Sequence, residues 1–406
     1  MRTLGIVAYS AEAKGRKVII HRACGGSIDT LETSDWNELV DFLTEDRGLA
    51  IHICWQLPHF ADNVLDLLPV KAKRELVTKS KYVYGDTKIF YVDRLLGLTT
   101  RRQLKGNFYR ESENNFYGIK RWLLDGADMP DLLGLEQAGY DILEGLAKLG
   151  IQATRLTSPI GVWADKIDPD TLPTIYNFPD AHIDAMDYAF RMAGYEWHKK
   201  YKSGKAGSYY YDLTSSYPYF IAQLPDTRHG TISRKRGNHQ WGIVKGRLLA
   251  EKLGSILPID KDAKYFTTEE IDWVESHKLG TFEIEDGFYF NFNGGKPYMT
   301  IIAKLIEARL TDDAMVNTLA KRIAQGISGK LDQVNSNGSW GELYNPILAS
   351  MVRSRCRLAV ADFIYDNNLQ DSLVSVVVDG VRATKSLDLP SKSMPGEWRQ
   401  VQNEES

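Results

Sequence analysis

The chain has 406 residues, too many for one ordinary core, which implies two or three compact units. Hydrophobic residues at 43% and charged residues at 25% exclude a disordered chain, and no apolar run is long enough to cross a bilayer. The formal charge of −3 argues against a surface coated in positive charge but allows a local basic groove; three scattered cysteines (Cys24, Cys54, Cys356) exclude a disulfide framework and a Cys-rich zinc site, so a reducing, cytoplasmic setting is expected.

Met1-Arg2 and the apolar stretch Leu4 to Ala8, with Ala11-Glu12-Ala13 behind them, superficially match a secretory signal and its cleavage site. The stretch is short, one basic residue precedes it, and Tyr9-Ser10 interrupts it, so the segment reads as the first strand of a domain. The first ~150 residues alternate short apolar strands with helical stretches, the α/β pattern. Thr3 to Tyr9 and Lys17 to His21 pair around a turn at Lys14-Gly15, and Trp36 to Leu43 is helical. Leu49 to Trp55 and Asp86 to Val92 are strands, the second running into Asp93, and Leu132 to Leu149 is an amphipathic helix closed by Gly150. Ala185 to Trp197 reads as a long helix. It leads into His198-Lys199-Lys200-Tyr201-Lys202-Ser203-Gly204-Lys205, which is either a solvated junction between domains or a basic track for phosphates. Beyond it come a strand at Ser208 to Asp212, a β-rich region, a helical hairpin from about Thr300 to Lys330 and a helix from Pro346 to Tyr365. Two strand-like runs, Leu373 to Val378 and Val381 to Thr384, are joined by Asp379-Gly380, a strong hairpin signal.

Three stretches of the second half carry candidate chemistry. In Tyr209-Tyr210-Tyr211-Asp212-Leu213-Thr214-Ser215-Ser216-Tyr217-Pro218 an aromatic strand ends on a carboxylate, and a helix capped by Ser or Thr can begin just after it. In Lys321-Arg322-Ile323-Ala324-Gln325-Gly326-Ile327-Ser328-Gly329-Lys330, helical spacing puts Lys321, Gln325 and Ser328 on one face, with Gly326 and Gly329 leaving that flank bare. Two glycines inside a helix cost about 1 kcal/mol each against alanine, which close approach of a flat ligand would offset. The third stretch is Ser375-Val376-Val377-Val378-Asp379-Gly380-Val381-Arg382. Taken singly, each also fits a bland role: a capped strand end, a helix that stops at Gly326, and a turn aspartate. Asp212 and Asp379 gain meaning as a pair, since two carboxylates on neighbouring strands can hold two Mg²⁺ ions about 4 Å apart for in-line displacement at phosphorus.

Together and in this order, the three stretches resemble family B DNA polymerases, and among them the compact, protein-primed-like viral and plasmid branch. Asp212-Leu213-Thr214-Ser215-Ser216-Tyr217-Pro218 matches that family's D-x-x-S-L-Y-P at all but one fixed position. Its K-x-x-x-N-S-x-Y-G is met by Lys321 and Gly329, with Gln325, Gly326 and Ser328 at the changed positions. Of Y-x-D-T-D-S, Asp379 supplies the second aspartate and Val377 replaces the first. The resemblance covers about Tyr201 to Thr384, and Tyr201-Lys202-Ser203-Gly204 loosely resembles the family's template-contacting Y-x-G-G. It implies an α/β and α+β architecture, an RNase H-like N-terminal domain followed by a polymerase palm with a short helical fingers hairpin. The implied divisions are 1–185 (exonuclease-like), 186–206 (basic linker), 207–295 (palm, first part), 296–331 (fingers) and 332–406 (palm, second part, thumb missing or truncated).

Residue by residue, the resemblance implies that Asp212, the Leu213 carbonyl and Asp379 bind two Mg²⁺ ions, with Mn²⁺ able to substitute. Tyr217 would stack under the incoming sugar and exclude a 2′-hydroxyl. Lys321 and Arg309, the latter placed on the partner helix, would clamp the triphosphate, Gln325 would face the nucleotide, and Ser215 and Ser216 would offer backbone N–H groups to phosphates. The partners implied are primer-template DNA and dNTPs, with a priming protein or a thumb-supplying subunit in addition and no membrane. The N-terminal half resembles a worn exonuclease domain: Ser10-Ala11-Glu12 stands where D-x-E is expected, Trp55 to Asp62 is a poor second motif, and Gln137 and Asp141 are what remains of the third. Loss of a bridging carboxylate implies no proofreading. An unrelated α/β domain is the alternative. The chain stops about two dozen residues after the third stretch, where Gly396-Glu397-Trp398-Arg399 resembles the lead into a thumb. Competing readings are a degenerate polymerase fold acting as a nucleic-acid-binding subunit, and a primase-like initiating polymerase.

Overall fold

The computed structural model describes residues 5–45, 50–92, 95–103, 109–123, 127–167, 171–173, 184, 185, 187, 188, 196–198, 208–228, 230–238, 241–249, 264–292, 294–335 and 338–401, with the backbone alone at 102, 103, 109–112 and 196–198. They form two compact units, Met1–Lys166 with Glu307–Ile323, and Ile167–Ile306 with Ala324–Ser406.

The first unit is built on a mixed sheet of eight strands: β1 (Gly5–Lys14), β2 (Lys17–Cys24), β3 (Ser27–Thr33), β4 (Ala50–Cys54), β5 (Lys81–Tyr84), β6 (Thr87–Val92), β7 (Leu95–Gln103) and β8 (Tyr109–Gly118), in the order β3-β2-β1-β4-β8-β7-β6-β5. β1 runs antiparallel to β2 and parallel to β4, which runs parallel to β8. Ile6 to Tyr9 and Ile51 to Cys54 are buried without alternation, because both faces of these central strands are covered. The helices are α1 (Trp36–Leu43), α2 (Leu57–Val64), α3 (Val70–Lys79), α4 (Leu132–Lys148) and α5 (Pro159–Ala164). Asp131 caps α4 by accepting the Gly134 N–H at 2.7 Å. Gly139 lets α4 lie so close to the sheet that a Cβ there would stand 2.7 Å from Ile53 Cδ1 and 2.8 Å from Ile6 Cγ2. The expected pairing around Lys14-Gly15, the helix at 36–43, the strands near 50 and 87 and the helix from 132 are all observed. Asp93 lies outside the described residues.

The second unit holds two sheets. One is antiparallel, β9 (Glu196–His198), β10 (Tyr209–Leu213), β15 (Leu373–Val377), β16 (Gly380–Ala383) and β17 (Trp398–Val401), in the order β17-β10-β16-β15-β9. The other is β11 (Thr231–Ser233), β12 (Trp241–Leu249), β13 (Tyr265–Thr267) and β14 (Thr281–Asn291), in the order β11-β14-β12-β13. Its helices are α6 (Ser216–Ala222), α7 (Thr268–Ser276) and α10 (Pro346–Asp366), and the hairpin α8 (Met299–Ala308) and α9 (Ala314–Leu331) passes through the unit boundary. The helix expected at Ala185 to Trp197 is corrected at its end, where Glu196–His198 pairs with β15 as a strand, and the lysine cluster that follows lies outside the described residues. No helix among the described residues is long and apolar enough to cross a membrane.

α10 is buried along most of its length and serves both sheets. Val360, Phe363 and Ile364 pack with Tyr211, Val376 and Val381 under the first sheet, while Ala361 joins Val244, Phe266 and Trp273 under the second. Arg357 also points inward, pairing with Glu270, whose side chain is 0% exposed, and with the Tyr188 hydroxyl, which itself donates to Glu270 at 2.8 Å. Arg357→Met leaves that carboxylate buried without its cation and is expected to lower the free energy of urea unfolding by about 3–5 kcal/mol. A loss below about 1 kcal/mol would show that the pair does not hold α10 in place.

Candidate active site

β10, an inner strand of its sheet, carries Asp212 near its end, opposite Gly380 of β16 and Arg399 of β17. Asp379 sits in the two-residue turn between β15 and β16, and its carbonyl accepts the Leu213 N–H at 3.1 Å, so the two acids lie side by side at one end of the sheet. The Asp-Gly signal marks the right hairpin for a different reason. Val378, not Gly380, takes the positive φ, at 56°, a strained conformation for a β-branched residue. Gly380 is needed because the Tyr210 ring occupies the space of its missing Cβ, with Cε2 at 2.7 Å from that position.

The electrostatics centre on Asp379. Burial pushes its carboxyl above the ordinary aspartate range; the charge of Asp212 acts in the same direction, while a hydrogen bond from Ser216 and the Arg399 charge oppose it. Ser216 Oγ lies 2.5 Å from Asp379 Oδ2 and also bonds the Cys356 thiol, which burial pushes up to about 12. Arg399 donates from Nε at 3.0 Å and Nη2 at 2.8 Å, both to Asp212 Oδ2. Tyr210 stands among these charges: burial raises its phenol, Asp212 and Asp379 add to that, and Arg382 and Arg399 oppose it. Tyr217, half-buried on α6, has its phenol pushed by burial up to about 12, with Arg353 and Asp379 in electrostatic reach, and stays neutral at pH 7.

The other expected site residues divide. Ser215 occupies the N-cap position of α6 but does not cap it with its side chain; its φ is 51°. Ser216 is buried, and its side chain is committed to Asp379. Arg309 lies in the turn after α8, not on the helix, because α8 ends at Ala308; its carbonyl accepts from the Asn317 side chain. α9 runs through Gly326 and Gly329 to Leu331, which removes the reading of an early stop. Gln325 and Gly329 are exposed, Lys321 is half-exposed without an ion pair among the described residues, and Ile323, Ala324 and Ile327 are buried opposite. Arg399 and Cys356 were not anticipated as site residues, although the alternation of Trp398, stacked on Phe363 at 3.9 Å, with Arg399 is the signature of a half-buried strand.

Among the described residues no group of three or more His, Cys, Asp and Glu side chains could hold a metal ion. Asp212 and Asp379 nevertheless fit a hard divalent cation that takes further ligands from a substrate: both are oxygen donors, and burial together with the Asp212 charge raises Asp379, which a cation would offset. In the first unit, Glu12, Asp62 and Asp141 are all exposed, and a cavity of about 360 Å³ lined by Tyr9, Ser10, Cys54, Trp55, His59 and Phe60 carries no carboxylate.

The raised carboxyl has a signed consequence. The folded state binds the Asp379 proton more tightly than the unfolded chain, so this group's ionisation destabilises the fold as pH rises from 3.8 through the raised value. Asp379→Asn is therefore expected to raise Tm at pH 8 by about 1–3 °C without added metal, a gain that vanishes below pH ~4, as followed by calorimetry. A lower Tm at pH 8 would contradict the placement.

No family model and no curated protein sequence matches the chain. Solved structures do. The fold is similar to Phi29 DNA polymerase complexed with single-stranded DNA, at a TM-score of 0.64 and 13% identity over 98% of this chain and 84% of that one. It is similar to the same polymerase complexed with primer-template DNA and incoming nucleotide substrates, at 0.63 and 12%, and to its post-translocation binary complex with primer-template DNA, at 0.62 and 12%, each with the same coverage. The likeness establishes the fold: a mixed α/β chain with a large mixed sheet, matching a Phi29-polymerase-like fold.

Proposed function

We propose that the chain is a template-directed DNA polymerase of the family B type, adding dNTPs to a primer 3′-hydroxyl in DNA replication, with primer-template DNA and dNTPs as its partners. The observation that carries this reading is the placement of Asp212, near the end of β10, beside Asp379, in the turn that leads into the neighbouring strand β16, in a fold similar to that of a DNA polymerase. Mg²⁺ held by the two carboxylates and the Leu213 carbonyl would lower the pKa of the attacking hydroxyl and neutralise the departing pyrophosphate. Ser216 fixes Asp379 in one orientation, and the αL backbone at Ser215 turns the chain from β10 into α6 so that Tyr217 follows Asp212 by five positions. The neutral Tyr217 ring excludes a 2′-hydroxyl, and Lys321, Gln325 and Arg309 serve the triphosphate and base. With Ser10 in place of an acid, the N-terminal domain is a framework without proofreading.

Asp212→Asn or Asp379→Asn is expected to reduce primer extension by at least ~10³-fold while DNA binding remains. Full extension by either variant would refute the assignment. Tyr217→Val is expected to admit ribonucleotides in the same assay, and unchanged sugar selectivity would remove the gate. A second reading, a nucleic-acid-binding subunit of polymerase fold, is favoured by Val377 at the position of an aspartate; it predicts DNA binding by the parent chain with no incorporation.

A further inference from the structure

Arg399 reaches Asp212 directly across the β10–β17 pair. Its two N–H groups converge on one oxygen, Oδ2, and Oδ1 accepts no hydrogen bond among the described residues. The pair is half-withdrawn from solvent, at 38% side-chain exposure for Arg399 and 20% for Asp212. A second guanidinium, Arg382, lies over the Tyr210 ring, 5.2 Å from its centroid, on the strand that flanks β10 on its other side. The two carboxylates thus have one guanidinium in contact, that of Arg399, and a second, exposed one further along β16. Two divalent ions held close together need a strongly negative set of fixed ligands to offset their repulsion. With Arg399 on Asp212 the groups in contact leave a single net fixed negative charge, and a guanidinium cannot be switched off by deprotonation.

We propose that this site takes one divalent cation and that the Arg399 guanidinium stands in for a second on the Asp212 side. The cation is shared by Asp379 and Asp212 Oδ1, and Arg399 supplies the remaining positive charge to the phosphates of an incoming nucleotide. The inference rests on the polymerase reading and changes its stoichiometry. Arg399 also holds Asp212 by one oxygen and leaves the other for the ion.

The test counts Mn²⁺ bound to the full chain at millimolar free ion, by electron paramagnetic resonance of the unbound metal. The parent chain is expected to bind one ion that is lost in both Asp212→Asn and Asp379→Asn. Arg399→Ala is expected to bind two such ions, and Arg399→Lys, which keeps the charge, one. Two aspartate-dependent ions in the parent, or a single one in Arg399→Ala, would overturn the inference and leave the polymerase reading standing. Bound Mn²⁺ indifferent to both aspartate substitutions, or none at all, would overturn that reading as well. The count on the parent depends on no variant's folding.

Discussion

Backbone pairing of β10 with β16 and the turn before it brings two carboxylates into one neighbourhood, where burial and, to a lesser degree, the charge of Asp212 oppose the ionised Asp379; the rest of the site is arranged around that constraint. The fold answers it with neutral donors and fixed cations. A buried hydroxyl holds one acid, a guanidinium from the flanking strand holds the other, and a phenol stands between charges of both signs. A strained valine in the hairpin and a left-handed serine after β10 keep the two acids at the same end of the sheet. Such strain persists only where the surrounding structure over-determines it.

That over-determination comes from α10. A helix buried on nearly every side cannot slide without opening the cores beneath both sheets of its unit. It brings Cys356 to Ser216 and places Arg353 in ion-pair contact with Asp332, just beyond the end of α9. The apolar core and the polar site therefore share one support, which is why the burial of Arg357 and the orientation of Asp379 are parts of one packing problem.

Much of this was legible in the sequence because it rests on local rules. Period, caps and the Asp-Gly dipeptide located the strands and helices around both acids, and the spacing from Asp212 to Tyr217 carried over directly into a strand, a turn and a helix. The misreadings came from features that depend on partners distant in the chain. Gly380 is glycine because of the Tyr210 ring, not because of a turn, and Arg399 meets Asp212 through a strand pairing that no local pattern specifies. The assignment of 196–198 to a strand likewise reflects sheet pairing overriding a helical pattern.

The most direct test is a crystal structure of the chain soaked in Mn²⁺, read by anomalous scattering. The account predicts a metal peak in contact with oxygens of both Asp212 and Asp379. A metal bound elsewhere, with the two carboxylates unchanged and empty at saturating Mn²⁺, would contradict it.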